Sequence, residues 1–302
     1  MTELRPEIRR YSTTQRRPAL DLSISSNLYL TDQQGVWFEN VMDDLQYQLS
    51  VSDALSSGEN ALLDLLNRTK LRSKHRRIAV VDCGPASPQE SIRKLTKLMR
   101  SVIVAQYVAI DMNDHLLSKI KSQVSGALGI PSKFILSRFE DLHQDSLGDT
   151  AAEDTLLLFG STEVNYETDE LAGVLQNFCT PDMLLAFEGL IRTNGGTPVG
   201  YESEAVQRFA FGPLWLLGAK QEQFEFNPFF LDDRIILEFR AKGQIDLGVS
   251  GYPPLREGDA VWTAFSRRPT IEQHKRDFER IVEPIGTITS DGRIASSLGR
   301  YR

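Results

Sequence analysis

The spacing of apolar and polar positions changes along the chain and predicts its elements. From Gln33 to Gln48, and again from Ala54 to Leu66, apolar residues recur at helical spacing and predict two amphipathic helices. From Ile78 onward, short apolar runs alternate with helical segments. The predicted strands are 78–82, 104–111, 133–139, 155–160 and 183–190, and the predicted helices are 88–100, 113–128 and 168–177. This alternation predicts parallel β-α units with helices on both faces of a buried sheet.

Beyond Thr193 the pattern changes again. The turn cluster NGGTP precedes an aromatic-rich segment and two apolar runs, which predict strands at 234–241 and 244–250. Antiparallel pairing suits these runs better than another β-α unit. A helix from Thr270 to Ile281 and a short strand around Thr287 complete the prediction. We therefore expect an α/β domain of residues 71–193 plus 265–302, and an accessory α+β domain of residues 1–70 plus 194–264.

Composition narrows the class of protein. The chain has 302 residues, a net charge of −7 and 41% apolar residues, as an ordinary globular protein has. An acidic surface does not neutralise phosphates, so we expect no nucleic-acid or membrane partner. Cys83 and Cys179 are too few for a disulfide framework, and no zinc-ligand spacing is present. Without a membrane-length apolar run or a signal-peptide core, we expect a cytoplasmic, metal-free monomer or homodimer that binds a small molecule.

Candidate chemistry lies just past the first two strands of the β-α segment, where open parallel sheets bind ligands. Asp82 closes one strand, Gly84 opens the turn after it, and Asp111 closes the next strand. A carboxylate at the second strand end can accept hydrogen bonds from both ribose hydroxyls of a nucleoside. The turn GPASPQ lacks the three glycines that cradle a pyrophosphate, which favours an adenosyl sulfonium over a nicotinamide dinucleotide. The alternative is that both aspartates only cap helices.

Three segments carry a more specific resemblance: VVDCGPASPQESIRKL, YVAIDMNDHLL and LLLFGSTEVNYETDELAGVL. In that order they resemble the central motifs of S-adenosylmethionine-dependent methyltransferases of the histidine-specific type, which make the trimethylhistidine of ergothioneine. The segments NLYLTDQQGVWFENVMDDLQYQLS and VWTAFSRRPTIEQHKRDF resemble flanking parts of the same family. The resemblance implies a Rossmann-like class I methyltransferase fold, S-adenosylmethionine as cofactor, and an accessory domain that covers the substrate.

The resemblance also implies which residues bind the cofactor. They are Asp82 and Gly84 for the methionine end, Asp111 for the ribose, Met112 for one face of adenine, Phe139 near the adenine edge, and Gly160 with Ser161 in the GSTEVNY motif. The family has an aspartate just before the aromatic residue, where this chain has Arg138. Glu140 or Asp141 either replaces that aspartate or belongs to a solvated turn.

Substrate-binding residues follow from the same resemblance. Asn165 would grip the amino and carboxylate groups of an amino acid, because its amide offers both donors and an acceptor. The alternative for Asn165 is a place in the first turn of a helix. Tyr47 and Tyr201 match substrate-contacting tyrosines, and Tyr201 is also a catalytic candidate. The alternative for each tyrosine is a place in the core.

Two departures from the family change the expected chemistry. Where the family has a glutamate and, two positions on, a serine, residues 263–266 read TAFS, so Ser266 stays but the acid is missing. An imidazole would lose its acceptor at a cost of about 1–3 kcal/mol, so histidine is not the expected substrate. Glu163 enters the asparagine motif as a catalytic candidate that faces a sulfonium or ammonium or accepts a proton. Its alternative is a solvent-facing position at a helix start.

Three functions are compatible with these features. The first is an S-adenosylmethionine-dependent N-methyltransferase of secondary metabolism that acts on a small amino acid or amine other than histidine. The second consumes the same cofactor through attack on its aminocarboxypropyl arm, by transfer or by cyclisation to azetidine-2-carboxylate, and releases methylthioadenosine. The third is a non-catalytic cofactor-binding or scaffold protein, for which the proline in GPASP and the arginine at 138 argue.

Overall fold

The computed structural model describes residues 5–9, 17–69, 77–148, 152–160, 162–181, 183–192 and 200–302, except for the side chains of residues 52–57. The chain divides into two compact units. The larger unit comprises Val51–Thr193 and Pro269–Arg302, and the smaller unit comprises Met1–Ser50 and Asn194–Arg268.

Strands and helices are numbered in chain order within these described ranges. The strands are β1 (Leu20–Asp21), β2 (Arg77–Cys83), β3 (Ile103–Asp111), β4 (Ser132–Leu136), β5 (Asp154–Gly160), β6 (Leu184–Leu190), β7 (Phe224–Phe226), β8 (Phe229–Leu231), β9 (Arg234–Ala241), β10 (Ala260–Arg267), β11 (Val282–Ser290) and β12 (Ile294–Tyr301). The helices are α1 (Asp32–Asp43), α2 (Leu45–Tyr47), α3 (Asp53–Asn67), α4 (Pro88–Leu98), α5 (Asp114–Leu128), α6 (Thr168–Phe178), α7 (Glu204–Ala210), α8 (Gly212–Leu216) and α9 (Ile271–Ile281).

The larger unit contains a seven-stranded sheet in the order β11-β12-β6-β5-β2-β3-β4. Strands β2 to β6 are parallel, β12 pairs antiparallel with β6, and β11 pairs antiparallel with β12. A parallel sheet closed by an antiparallel hairpin in this order is the Rossmann-like class I methyltransferase arrangement, which confirms the predicted fold class. The chain runs from β2 to β3 and β4 on one side and then returns to β5 on the other. The strand order therefore reverses between β2 and β5.

Helices cover both faces of this sheet, as the sequence predicts. Successive residues of β2 point to opposite faces, so Ile78 and Val80 pack in one cluster and Val81 and Cys83 in the other. The first cluster holds apolar residues of α3, α4 and α5, and the second holds those of α6 and α9. Helix α4 begins after Ser87, whose side chain accepts a hydrogen bond from the Glu90 amide.

The smaller unit is built on a mostly antiparallel sheet. Its strand order is β1-β10-β9-β7, and β8 also pairs with β9. A β-bulge interrupts β10 between Trp262 and Ala264. Phe224 lies in an aromatic core with neighbouring phenylalanine rings, whereas Trp215 is 42% exposed.

The structure departs from the expected elements and boundaries in three places. The run 244–250 is not a strand, because Gly248 and Gly251 take left-handed φ angles of +63° and +83° and only Ile245 bridges to Leu255. The strand expected around Thr287 is present as β11, but it is longer than expected and forms a hairpin with β12, which was not predicted. The accessory part ends at Ser50 and not at residue 70, because α3 packs on the β11–β12 hairpin and belongs to the larger unit. No helix in the described part of the chain is long and apolar enough to cross a membrane.

Candidate functional site

The carboxyl ends of β2 and β5 meet at the point where the strand order reverses. Gly84 follows β2 with a φ of +72°, in the left-handed region that favours glycine. Its amide donates to the Ile110 carbonyl, and the Thr162 hydroxyl donates to the Cys83 carbonyl at 3.1 Å. A Cβ at position 84 would lie 2.8 Å from Thr162 Oγ1. The turn therefore requires glycine for its conformation and for its close approach to the β5 loop.

Asp82 is the last residue but one of β2 and is 8% exposed. Its Oδ2 accepts hydrogen bonds from the hydroxyls of Ser91, at 2.8 Å, and Tyr107, at 3.0 Å. Within the described ranges, Oδ1 accepts no hydrogen bond from the chain. The residue that caps α4 is Ser87, so the helix-capping alternative for Asp82 was wrong.

Asp111 is the last residue of β3 and is also 8% exposed. Burial raises the pKa of Asp111 to about 7, and the nearby charge of Asp82 adds to this, against the opposing hydrogen bonds from the Asn113 and Met112 amides. Oδ1 accepts the Asn113 amide at 2.8 Å. Asn113, and not Asp111, caps α5, so the capping alternative fails here as well. Two buried carboxylates therefore lie at neighbouring strand ends.

The residues predicted around adenine lie near this edge. Met112 is half-buried directly after Asp111, and the ring tip of half-buried Phe139 lies 3.7 Å from the Cβ position of Gly84. Glu140 accepts a hydrogen bond from the Tyr166 hydroxyl at 3.2 Å and lies 3.7 Å from Arg138 Nε. Those two contacts engage Glu140 within the chain, whereas Asp141 is exposed.

Gly160 ends β5 with a φ of +51°, and Ser161, which follows it, lies outside the described residues. Lys94 Nζ from α4 lies 3.6 Å from the Cβ position of Gly160 and 3.1 Å from Glu188 Oε2 on β6. Burial lowers the pKa of Lys94, but the carboxylates of Glu188, Glu90 and Asp82 outweigh it and raise the pKa above its ordinary value. Lys94 is therefore a half-buried, ion-paired cation that the sequence analysis missed.

Glu163 lies in the short 3-10 turn Thr162–Asn165 after β5 and is 8% exposed. A side chain at Gly189 would collide with the Glu163 carboxylate and would lie 3.2 Å from His274 Nδ1. His274 Nε2 in turn lies 2.9 Å from the Ser297 hydroxyl. The solvent-facing alternative for Glu163 was therefore wrong, and His274 is a second residue that the sequence analysis missed.

Asn165 closes the same turn and is half-buried. It lies two residues before Glu167, which is the N-cap of α6, so it does not belong to the first turn of that helix. Its side-chain amide makes no hydrogen bond with the described part of the chain. The amide is therefore available to a ligand, while the role of Asn165 as a substrate-binding residue stays a prediction.

The remaining predicted residues form a cluster in the smaller unit. The rings of Tyr47 and Tyr201 are 6.0 Å apart and edge to face. Tyr201 and Ser266 are each 7% exposed, and the Tyr201 hydroxyl donates to Ser266 Oγ at 3.3 Å. Arg268, which the sequence analysis missed, donates to the Ser266 and Tyr201 hydroxyls. Tyr201 is therefore buried but is part of a polar cluster.

Sequence signals for the missed residues exist but are faint. Lys94 is three positions after Ser91 and one before Leu95, on the face that α4 buries. Arg268 follows β10 directly and is two positions after Ser266 and four after Ala264, so it continues the face of the strand on which these two residues lie. A charged residue on an otherwise buried face is the signal in both cases. The folded chain is needed to show which charge it meets.

The strand order defines a class I methyltransferase-like sheet, and two buried carboxylates lie at its carboxyl edge. No protein-family model matches the chain, and no curated protein matches its sequence. The resemblance to the histidine-specific family therefore stays a prediction.

Solved structures give weak similarities. The chain is similar to the structure of a putative methyltransferase from Thermobifida fusca YX, with 10% identity, coverage of 89% of this chain and 88% of that chain, and a TM-score of 0.47. It is similar to the 1,6-didemethyltoxoflavin-N1-methyltransferase of Burkholderia thailandensis with bound S-adenosylhomocysteine, with 8% identity, coverage of 97% and 94%, and a TM-score of 0.46. It is also similar to the magnesium protoporphyrin IX methyltransferase of Synechocystis PCC 6803, with 10% identity, coverage of 89% and 95%, and a TM-score of 0.42.

Proposed function

We propose that this chain is an S-adenosylmethionine-dependent N-methyltransferase that acts on a small amino acid or amine other than histidine. The observation that carries the proposal is the pair of buried carboxylates, Asp82 and Asp111, beside the left-handed turn at Gly84. They lie at the edge and at the reversal point where open α/β sheets bind nucleotide-type ligands.

The residues of this edge fit S-adenosylmethionine. Asp111 is positioned to accept hydrogen bonds from ribose hydroxyls, and Phe139 beside Gly84 offers an apolar surface to adenine. Two carboxylates would repel a pyrophosphate, whereas they attract the ammonium and sulfonium of this cofactor. The Oδ1 of Asp82 is the atom that would receive the ammonium, since Ser91 and Tyr107 occupy Oδ2.

When bound, S-adenosylmethionine supplies an electrophilic methyl group. The chain has to orient the acceptor amine, keep it unprotonated and exclude water. Asn165, with its uncommitted amide, is assigned to the amino and carboxylate groups of the acceptor. Glu163 is buried beside His274, and we assign to it the proton that the amine loses as its bond to the methyl carbon forms.

The smaller unit supports a substrate other than histidine. Ala264, at the position of the family's glutamate, is 7% exposed within β10 and offers no acceptor to an imidazole.

Product chromatography tests this function. The chain is incubated with S-adenosylmethionine, first alone and then with panels of amino acids and amines. S-adenosylhomocysteine that forms together with a methylated acceptor supports the proposal. Methylthioadenosine that forms without an acceptor would contradict it and favour attack on the aminocarboxypropyl arm. Absence of both products, together with absence of cofactor binding, would leave the scaffold alternative.

A further inference from the structure

Arg268 is a buried cation whose hydrogen-bond acceptors are all neutral. It is 7% exposed. Its Nη1 donates to Ser266 Oγ at 2.8 Å and to the Arg267 carbonyl at 2.6 Å, and its Nη2 donates to the Tyr201 hydroxyl. Across the described ranges, no carboxylate forms an ion pair with it. A buried charge normally has an ionised partner, because loss of hydration is costly.

The carboxylate of Asp233 is committed elsewhere. Asp233 contacts Arg268 through its backbone carbonyl, which accepts the Arg268 amide. Its carboxylate forms ion pairs with Arg234 at 3.1 Å and with Arg267 at 3.2 Å. The Asp233 carboxylate therefore does not compensate the charge of Arg268.

The neighbours of Arg268 are arranged as a polar site. The Tyr201 hydroxyl accepts from Arg268 and donates to Ser266, so the three side chains hold one another in place. The guanidinium group lies over the Tyr201 ring, 5.4 Å from its centroid. A guanidinium has five N–H donors in a planar fork that matches a carboxylate. The contacts within the chain leave part of that fork unused.

We propose that Arg268, supported by Tyr201 and Ser266, binds a carboxylate ligand within the smaller unit. The anion supplies the counter-charge that the described contacts of Arg268 lack. This inference goes beyond the proposed function and stands on contacts within the smaller unit alone.

A melting experiment without cofactor tests the site and keeps it separate from the proposed function. Benzoate and hexanoate are compared with benzamide and hexanamide at constant ionic strength. We expect the two carboxylates to raise the melting temperature in a concentration-dependent way and the two amides to leave it unchanged. Equal shifts for acids and amides, or no shift with either acid, would overturn the proposal. Failure to bind S-adenosylmethionine would overturn the proposed function alone.

Variants locate the effect. Arg268→Gln should lose the response to carboxylates, and without ligand it should melt at or above the wild-type temperature, because it removes an uncompensated buried charge. Arg268→Lys should keep a reduced response, since it keeps the charge but not the fork. Arg208→Gln is the control, because Arg208 is an exposed helix residue of the same unit. It should respond as the wild type does.

A ligand-free Arg268→Gln variant that melts far below the wild type would contradict the assignment, because the arginine would then be structural. If that variant does not fold, the contrast between acids and amides in the wild type decides.

Discussion

Two cations, half-buried Lys94 in the larger unit and buried Arg268 in the smaller unit, differ in what compensates their charge. In the larger unit, Lys94 meets Glu188, which is 2% exposed, at 3.1 Å. In the smaller unit, Arg268 meets hydroxyls and a carbonyl but no carboxylate of the described chain. The charge of Lys94 is balanced within the fold by Glu188, and we expect this ion pair to support stability. The charge of Arg268 is left for a ligand to balance, and we expect this residue to support binding.

The largest expected effect is on Lys94. Lys94→Met leaves the buried Glu188 carboxylate without its counter-charge and should lower the free energy of unfolding by about 3–5 kcal/mol. Denaturant unfolding measures this loss. Lys97→Met is the matched control, because Glu59, the partner of Lys97, keeps Arg93 at 2.6 Å. The double variant Lys94→Met with Glu188→Leu should recover most of the stability. If Lys94→Met lowers the free energy of unfolding no more than Lys97→Met does, Lys94 is not the structural charge that we contrast with Arg268.

The next effect concerns Asn165, which we place in the larger unit's binding edge and not in its framework. Asn165→Ala should lower turnover by roughly 10²-fold, of the order expected for losing a charge-assisted hydrogen bond, with little change in melting temperature. Steady-state kinetics on an acceptor from the product assay measure it. Asn177→Ala, on the exposed face of α6, should leave turnover unchanged. Equal rates for both variants would remove Asn165 from the site.

Gly84 tests whether the turn after β2 is as tight as its contacts indicate. Gly84→Ala should cost about 2 kcal/mol or more, from a left-handed φ and from contact with Thr162. Gly129→Ala has a similar φ of +63° but an open surrounding, so it should cost only about 1 kcal/mol. Adding Thr162→Ala to Gly84→Ala removes the crowding and should reduce the loss of stability to about that of Gly129→Ala, roughly 1 kcal/mol. Equal losses at both glycines would show that crowding at this turn has no effect.

The smallest effect is the pH dependence of Asp111, whose pKa burial raises from 3.8 to about 7. The folded chain then holds this proton to higher pH than the unfolded chain does. The stabilising contribution of this group is full below about pH 4 and is lost as the pH rises through about 7. The ionised carboxylate is the better acceptor for ribose hydroxyls, so affinity for a nucleoside should rise several-fold from about pH 6 to 8.

Methylthioadenosine is the suitable probe for this pH series, because it has the ribose and adenine but no group that titrates in this range. Calorimetry at each pH measures its affinity. Asp111→Asn removes the titrating group at nearly constant volume and should give a flat profile. A rise of the same size in the variant would assign the pH dependence to another residue.

The larger unit is the more predictable of the two from sequence. Its strands and helices are local segments with clear periods, so Ile78–Asp82 and Ala54–Leu66 fall within the observed β2 and α3. The smaller unit includes the two-residue strand β1 and the three-residue strands β7 and β8, which are too short to show a period. The bulge in β10 breaks strict alternation between Trp262 and Ala264, which hides that strand from a search for period two.

The candidate site residues that lie at strand ends could be predicted from the sequence. Contacts between residues of different elements could not. Asp82, Gly84 and Asp111 stand at strand ends, and the order of segments along the chain is enough to place them at one edge. Glu163 was recognised, but its burial beside Gly189 and His274 depends on β6 and α9. Whether Lys94 or Arg268 meets an acid depends on residues far away in the sequence, which periodicity does not report.

The central claim is that the carboxyl edge of the larger sheet binds S-adenosylmethionine through Asp111. Calorimetric titration of the wild type and of Asp111→Ala, with melting temperatures recorded alongside, tests it most directly. We predict saturable one-to-one binding to the wild type and at least a tenfold weaker affinity in the variant, at a nearly unchanged melting temperature. No detectable heat with the wild type at high cofactor concentration, or equal affinity in both proteins, would contradict the claim.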